Sequence, residues 1–224
     1  MNAKETTAKL NEMATGALSE ADSAFLCSRL KAEEDYLLRS KAFLVAEKTG
    51  GEAVLAAVRE LIVSDTEREW QLRGLSVLCR HPSKENLPVL RDCLFQREKP
   101  LLIRGALLAA ADGGAESAPL LAAFLTGPFS GYLKEDFLGA CLHRFAEGGA
   151  ENAAAWERML QENAALASLD AVLRAKADEN ELLTVYPYPD YLSRRAEEKG
   201  YTHKEWKTVS FFPRKKRRQK ERER

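Results

Sequence analysis

Apolar residues along most of this chain recur at helical spacing and stop at short polar breaks. The stretch LRGLSVLCRHPSKENLPVLRDCL begins at Leu72, and IRGALLAAADGGAESAPLLAAFL begins at Ile103. Each opens on an apolar residue followed by Arg-Gly, runs on as an apolar helix, breaks, and resumes. Asn86 matches Ser117 ahead of the second run, where a short polar side chain predicts an N-cap. Pro88 matches Pro119 in the first turn, where amide donors have no intrahelical partner to lose. Leu87, Leu90 and Leu94 match Ala118, Leu121 and Leu125 on one face.

Two looser copies flank this pair. LRSKAFLVAEKTGGEAVLAAVREL starts at Leu38 and FLGACLHRFAEGGAENAAAWERML at Phe137, so the four starts lie 34, 31 and 34 residues apart. Breaks are predicted near 48–51, 81–85, 112–116 and 147–151. A helix pair of this length cannot bury its apolar face alone, so stacking of neighbouring pairs is expected. Alternating strand patterns are missing and Ala, Leu, Glu and Arg dominate, so the expected class is all-α. Ser19 would cap a helix over 19–35, residues 1–18 would add a short helix around Leu10, Met13 and Ala17, and a helix after Leu160 would close the array.

Arg39, Arg73 and Arg104 each follow the first apolar residue of a run, and Glu33, Glu67 and Glu98 stand six residues before them. An arginine at this site, with an acid in the preceding turn, resembles the HEAT-repeat family. The match has departures: the acid is Glu where the family usually has Asp, and the Phe137 copy carries Leu138 and Tyr132 at these positions. The resemblance spans roughly 19–183. It implies a right-handed α-α superhelix of about four to five helix pairs, with the second helix of each pair lining the concave side. The three Glu–Arg pairs would form a structural ladder at the turns.

Composition changes the picture at the C-terminus. The chain has 34 basic and 34 acidic residues, yet residues 214–224, RKKRRQKERER, hold eight of the former and two of the latter. An acidic body thus carries a basic tail, in which Arg214, Lys215, Lys216, Arg217, Arg218 and Lys220 would bind a polyanion or a partner. PRKKRR also resembles a nuclear import signal for a eukaryotic host, and a solvated terminus without consequence is a third reading. The prolines of YPYPD, 186–190, end the helical pattern. Seven of the eighteen aromatics lie in 186–212; they would cap the last repeat or form a partner-binding peptide. The organisation expected is 1–18 as an N-terminal extension, 19–183 as the helical array, 184–213 as an aromatic-rich extension or cap, and 214–224 as a disordered tail.

Signals for chemistry are sparse. Cys79 and His81, like Cys141 and His143, are two apart, which on a helix points them to different sides, so no metal is expected. No cofactor is expected either, since no P-loop, dinucleotide fingerprint or G-x-S-x-G occurs. Cys27, Cys79, Cys93 and Cys141 sit among apolar residues, as reduced buried thiols do. Apolar runs are too short for a membrane helix and no signal-peptide core is visible, which fits a cytoplasmic protein. The reading is a non-catalytic interaction scaffold using a solenoid groove and the basic tail. The alternative is a nucleic-acid-associated protein, with the HEAT-like DNA-alkylation-repair glycosylases as the enzymatic form of that reading and Trp70 or Trp156 at the lesion.

Overall fold

The computed structural model describes residues 2–32, 35–95 and 99–184. The chain divides into two units, 1–187 and 188–224, and the second lies outside the described residues. The expected aromatic cap and basic tail therefore fall outside them too, apart from Thr184.

The described residues are all-helical, with eleven α-helices and no strand. They are α1 (Ala3–Met13), α2 (Glu20–Ala32), α3 (Tyr36–Thr49), α4 (Glu52–Ser64), α5 (Arg68–Arg80), α6 (Leu87–Leu94), α7 (Pro100–Ala111), α8 (Ala118–Leu125), α9 (Glu135–Glu147), α10 (Ala150–Glu162) and α11 (Ala164–Lys176). All four breaks lie where the repeat places them. A short 3₁₀ segment, Glu179–Thr184, follows α11.

Local chemistry sets the starts. Asn2 and Glu5 form a reciprocal capping box on α1, and Leu10 and Met13 of that helix are buried, so residues 1–18 add a packed helix against α3. Ser19 caps α2 by accepting from Asp22 N–H at 3.1 Å. Asp35 caps α3 through the N–H groups of Leu37 and Leu38, and Asn163 caps α11 through that of Leu166.

Asn86 and Ser117 do not cap as the sequence suggests. Each ends a 3₁₀ turn, Lys84–Asn86 or Ala115–Ser117, that leads directly into the helix. Both are already in the αR region, and neither makes a side-chain cap bond. Ser83 caps instead, accepting from Glu85 N–H, while the buried Asn86 amide joins Arg59 Nη1 at 3.1 Å to the His81 carbonyl at 2.9 Å.

Packing follows chain order in two rows. In one, α1, α3, α5, α7, α9 and α11 each touch the next; in the other, α2, α4, α6, α8 and α10 do the same. The rows meet where α2 packs on α3, α4 on α5, α6 on α7, and α10 on α9 and α11. Burial is densest in the middle of the odd-numbered row. Gly74–Cys79 of α5 and Gly105–Ala111 of α7 are buried without interruption. Those turns of α5 and α7 thus carry no exposed stripe, whereas α3 exposes Leu37, Leu44 and Lys48.

Two kinds of glycine serve this packing. Gly50 and Gly51, between α3 and α4, have φ of 61° and 95°, a region that favours glycine. Gly139 lets α9 approach α11, since a Cβ there would stand 2.0 Å from the Leu173 carbonyl oxygen.

Candidate functional site

Of the predicted charge ladder, all three arginines are described, and Glu67 is the one predicted acid among the described residues. Arg39 Nε donates to the Leu30 carbonyl at 2.8 Å, and its Nη2 reaches Asp65 at 2.5 Å. Its guanidinium lies 4.5 Å from the centre of the Trp70 ring. Glu33 and Glu98 lie outside the described residues. Arg73 pairs with Glu69 at 3.2 Å, one turn earlier on its own helix, and not with Glu67. Glu67 is the N-cap position of α5, and its backbone N–H donates to Asp65 Oδ1. Helical geometry explains the correction: residues four apart share a face, whereas six apart across a cap do not. Arg104 crosses to the segment after α11, reaching the Glu181 carbonyl at 3.1 Å and its carboxylate at 3.6 Å, with Phe137 stacked beneath at 4.0 Å.

Two further ion pairs extend the row. Asp112 accepts from Arg144 Nε at 2.6 Å and from the Cys79 thiol at 2.7 Å, tying α5, the end of α7, and α9 together. Asp170 accepts from Arg174 Nε and, at 2.9 Å, from the buried Trp156 Nε1. No single sequence spacing relates these arginines to their carboxylates, which hides the pairs from a repeat search. The pairs of Arg39 with Asp65, Arg104 with Glu181 and Arg144 with Asp112 are largely withdrawn from water and tie separate elements together, as structural pairs do, whereas Arg73–Glu69 and Arg174–Asp170 each lie within one helix.

The residues weighed for chemistry are spread apart. His81 Nε2 sits 3.2 and 3.0 Å from the carbonyls of Ala46 and Glu47, and so donates to the end of α3. Burial pushes the Cys141 thiol well above its ordinary range, and burial likewise pushes Cys93 up to about 12. Among the described residues no three His, Cys, Asp or Glu side chains gather as a metal site. Trp70 and Trp156 are only 3% and 2% exposed, which denies both to an incoming base.

The open surface lies on the even-numbered row. A cavity of about 710 Å³ runs between α6 and α8, lined chiefly by Leu87, Pro88, Phe95, Pro119, Leu120 and Ala123. Lys84 and Glu116 border it, as do Arg91 and Asp92. It forms because α6 and α8 occupy equivalent places in adjacent repeats. Each turns its i, i+3, i+4, i+7 positions outward: Pro88, Arg91, Asp92 and Phe95 on one side, Glu116, Pro119, Leu120 and Ala123 on the other. A second cavity of about 530 Å³, reaching Ile62 and Val63, shares Arg91, Asp92 and Phe95. An aromatic string leads away from the groove, with Phe129 at 5.4 Å from Phe95 and 6.5 Å from Tyr132. Residues 117–133 contain no charged side chain, a signal that the repeat alignment passed over. No helix among the described residues is long and apolar enough to cross a membrane.

No protein-family model matches the chain, and no curated protein or solved structure is similar to it at a significant level.

Proposed function

We propose that the chain is a non-catalytic protein-interaction scaffold, built as a right-handed HEAT-like α-solenoid with its basic tail as a second contact. The observation that carries this reading is the stacking of helix pairs in chain order into two rows. Such units bury their apolar faces against one another and leave a long outer surface, which repeat proteins use for binding. The pairs of Arg39 with Asp65 and of Arg144 with Asp112 fit the same reading, since each joins two separate helices. The nucleic-acid alternative rests on the tail alone, because the tryptophans considered for it are buried.

Affinity capture with the full chain and with a truncation lacking residues 214–224, each with and without nuclease, tests the proposal. A defined protein partner held by both chains after nuclease is the expected result. Release of all captured material by nuclease would overturn it.

A further inference from the structure

We infer that the cavity between α4, α6 and the start of α7 binds a small zwitterion, an amino acid with an apolar side chain, whose ammonium meets Asp92 and whose carboxylate meets Arg91. Such a site stands independently of the scaffold reading.

The helices around this cavity repeat every 32 residues. Helices α2 and α4 and the turn ahead of α6 start at Glu20, Glu52 and Lys84, and α3, α5 and α7 start at Tyr36, Arg68 and Pro100. Side chains at this offset play the same part. Arg39 Nε donates to the Leu30 carbonyl at 2.8 Å, and Gln71 Nε2 donates to the Ile62 carbonyl at 2.9 Å. In the earlier repeat the space beside Arg39 is about 280 Å³, closed in by the pairs Lys31–Glu60 and Arg39–Asp65. One repeat later it widens to about 530 Å³, because Val63 stands in place of Lys31 and the shorter Gln71 in place of Arg39.

Two ion pairs disappear with these changes. Glu60 pairs with Lys31, but its counterpart Asp92 has Val63 in the lysine's place. Arg59 pairs with Glu52, but its counterpart Arg91 has Lys84 in the acid's place. Neither Arg91 nor Asp92 makes an ion pair among the described residues, with each other or elsewhere. Consecutive helical residues point about 100° apart, which separates the two charged ends. Both line the cavity, and Lys99 adds a second cation. Gln71 is only 3% exposed and also lines it, and among the described residues nothing donates to its Oε1. The Ile62 carbonyl holds the amide by its nitrogen, so the oxygen is left as an acceptor for a ligand N–H.

This lining prescribes the ligand. An ammonium takes the place that Lys31 holds one repeat earlier, against Asp92 and Gln71 Oε1. A carboxylate on the same molecule replaces the acid that Arg91 lacks, with Lys99 beside it. A simple acid would leave Asp92 unmet, and a simple amine would leave both cations unmet. Beyond burial, the Cys93 thiol feels both signs of charge, Asp92 raising its pKa and Lys99 lowering it, so the two stand near one atom. Ile62, Val63, Phe95 and Leu102 supply apolar walls for the side chain. The volume lies within the range of about 300–1,000 Å³ usual for small-molecule sites.

Isothermal titration of the full chain with the common L-amino acids is the test. One with an aliphatic or aromatic side chain should bind at least tenfold more tightly than its N-acetyl form, which lacks the ammonium, and than its amide, which lacks the carboxylate. Val63→Lys rebuilds the pair with Asp92, and Arg91→Gln removes the cation; each should weaken binding at least tenfold. Both substitutions are at exposed sites, and thermal unfolding checks that each variant folds; Asp92→Asn replaces any that does not. No binding by any of the amino acids, a preference for charged side chains, blocked forms that bind as well as the free one, or affinities unmoved by the variants would overturn the inference.

Discussion

Single residues record how far the helices are withdrawn from water. Cys79, Cys93 and Cys141 are buried, while Cys27 is partly exposed, with its thiol 3.6 Å from the Ala53 carbonyl. A thiol reagent at pH 8 should therefore label Cys27 first in the folded protein, though more slowly than a free thiol because burial raises its pKa, and all four cysteines only after unfolding. Rapid labelling of two or more would contradict the packing of α5, α6 and α9. The same burial links these thiols to alkaline stability. Cys93 ionises at about 12 in the folded chain, mainly through burial, against an ordinary value of 9.0. The folded state thus keeps a proton that the unfolded chain releases, so this contribution is fully present below pH 9 and is lost as pH rises toward 12. Each such thiol adds a slope of up to about 1.4 kcal/mol per pH unit. Denaturant unfolding at a series of alkaline pH values should show a shallower decline for Cys93→Ala than for the parent. An unchanged slope would count against this assignment.

At the scale of elements, the sequence carries the helices and their breaks because both depend on neighbours along the chain. Apolar spacing, the Ser19 cap, the prolines in first turns and the glycine pair at 50–51 all act locally. Arg39, Arg73 and Arg104 stand out by position, and Glu69 lies one turn before Arg73 on the same helix, but Asp65 beside Arg39 and Glu181 beside Arg104 are brought there only by the packing of separate elements. The α6–α8 groove escaped for the same reason, since it exists only once alternate helices lie side by side. Arg73 is a sharp test of the revised pairing. Arg73→Ala should cost on the order of 1–3 kcal/mol, because its guanidinium is withdrawn beside Trp70, while Glu67→Gln should cost within about 0.5 kcal/mol. Equal losses from the two substitutions, read by denaturant unfolding, would restore Glu67 as the partner. Gly139 tests the contact of α9 with α11. Gly139→Ala forces a Cβ against the Leu173 carbonyl, a rigid backbone atom, and should cost about 1–3 kcal/mol. An unchanged midpoint would mean the two helices lie farther apart.

The whole molecule is electrically divided, and this division governs how it meets a polyanion. Eight basic residues lie within 214–224, so residues 1–213 hold 26 basic and 32 acidic residues. The helical body repels phosphate, and its two best base-stacking candidates, Trp70 and Trp156, are enclosed. Nucleic-acid affinity should therefore reside in the tail and arise from the release of condensed counterions, without base recognition. If about five charges engage a single strand, log K should fall against log salt with a slope of roughly −3 to −4. Deleting residues 214–224 should abolish that binding, while Trp70→Phe and Trp156→Phe should leave it unchanged. The measurement is a salt titration of oligonucleotide anisotropy with the full chain, the truncation and both variants. Binding that survives truncation with little dependence on salt would place the site on the helical body, against its charge. Loss of binding in the truncation, with capture of the protein partner intact, would separate the two contacts: an electrostatic one at the tail and a protein contact on the helical body.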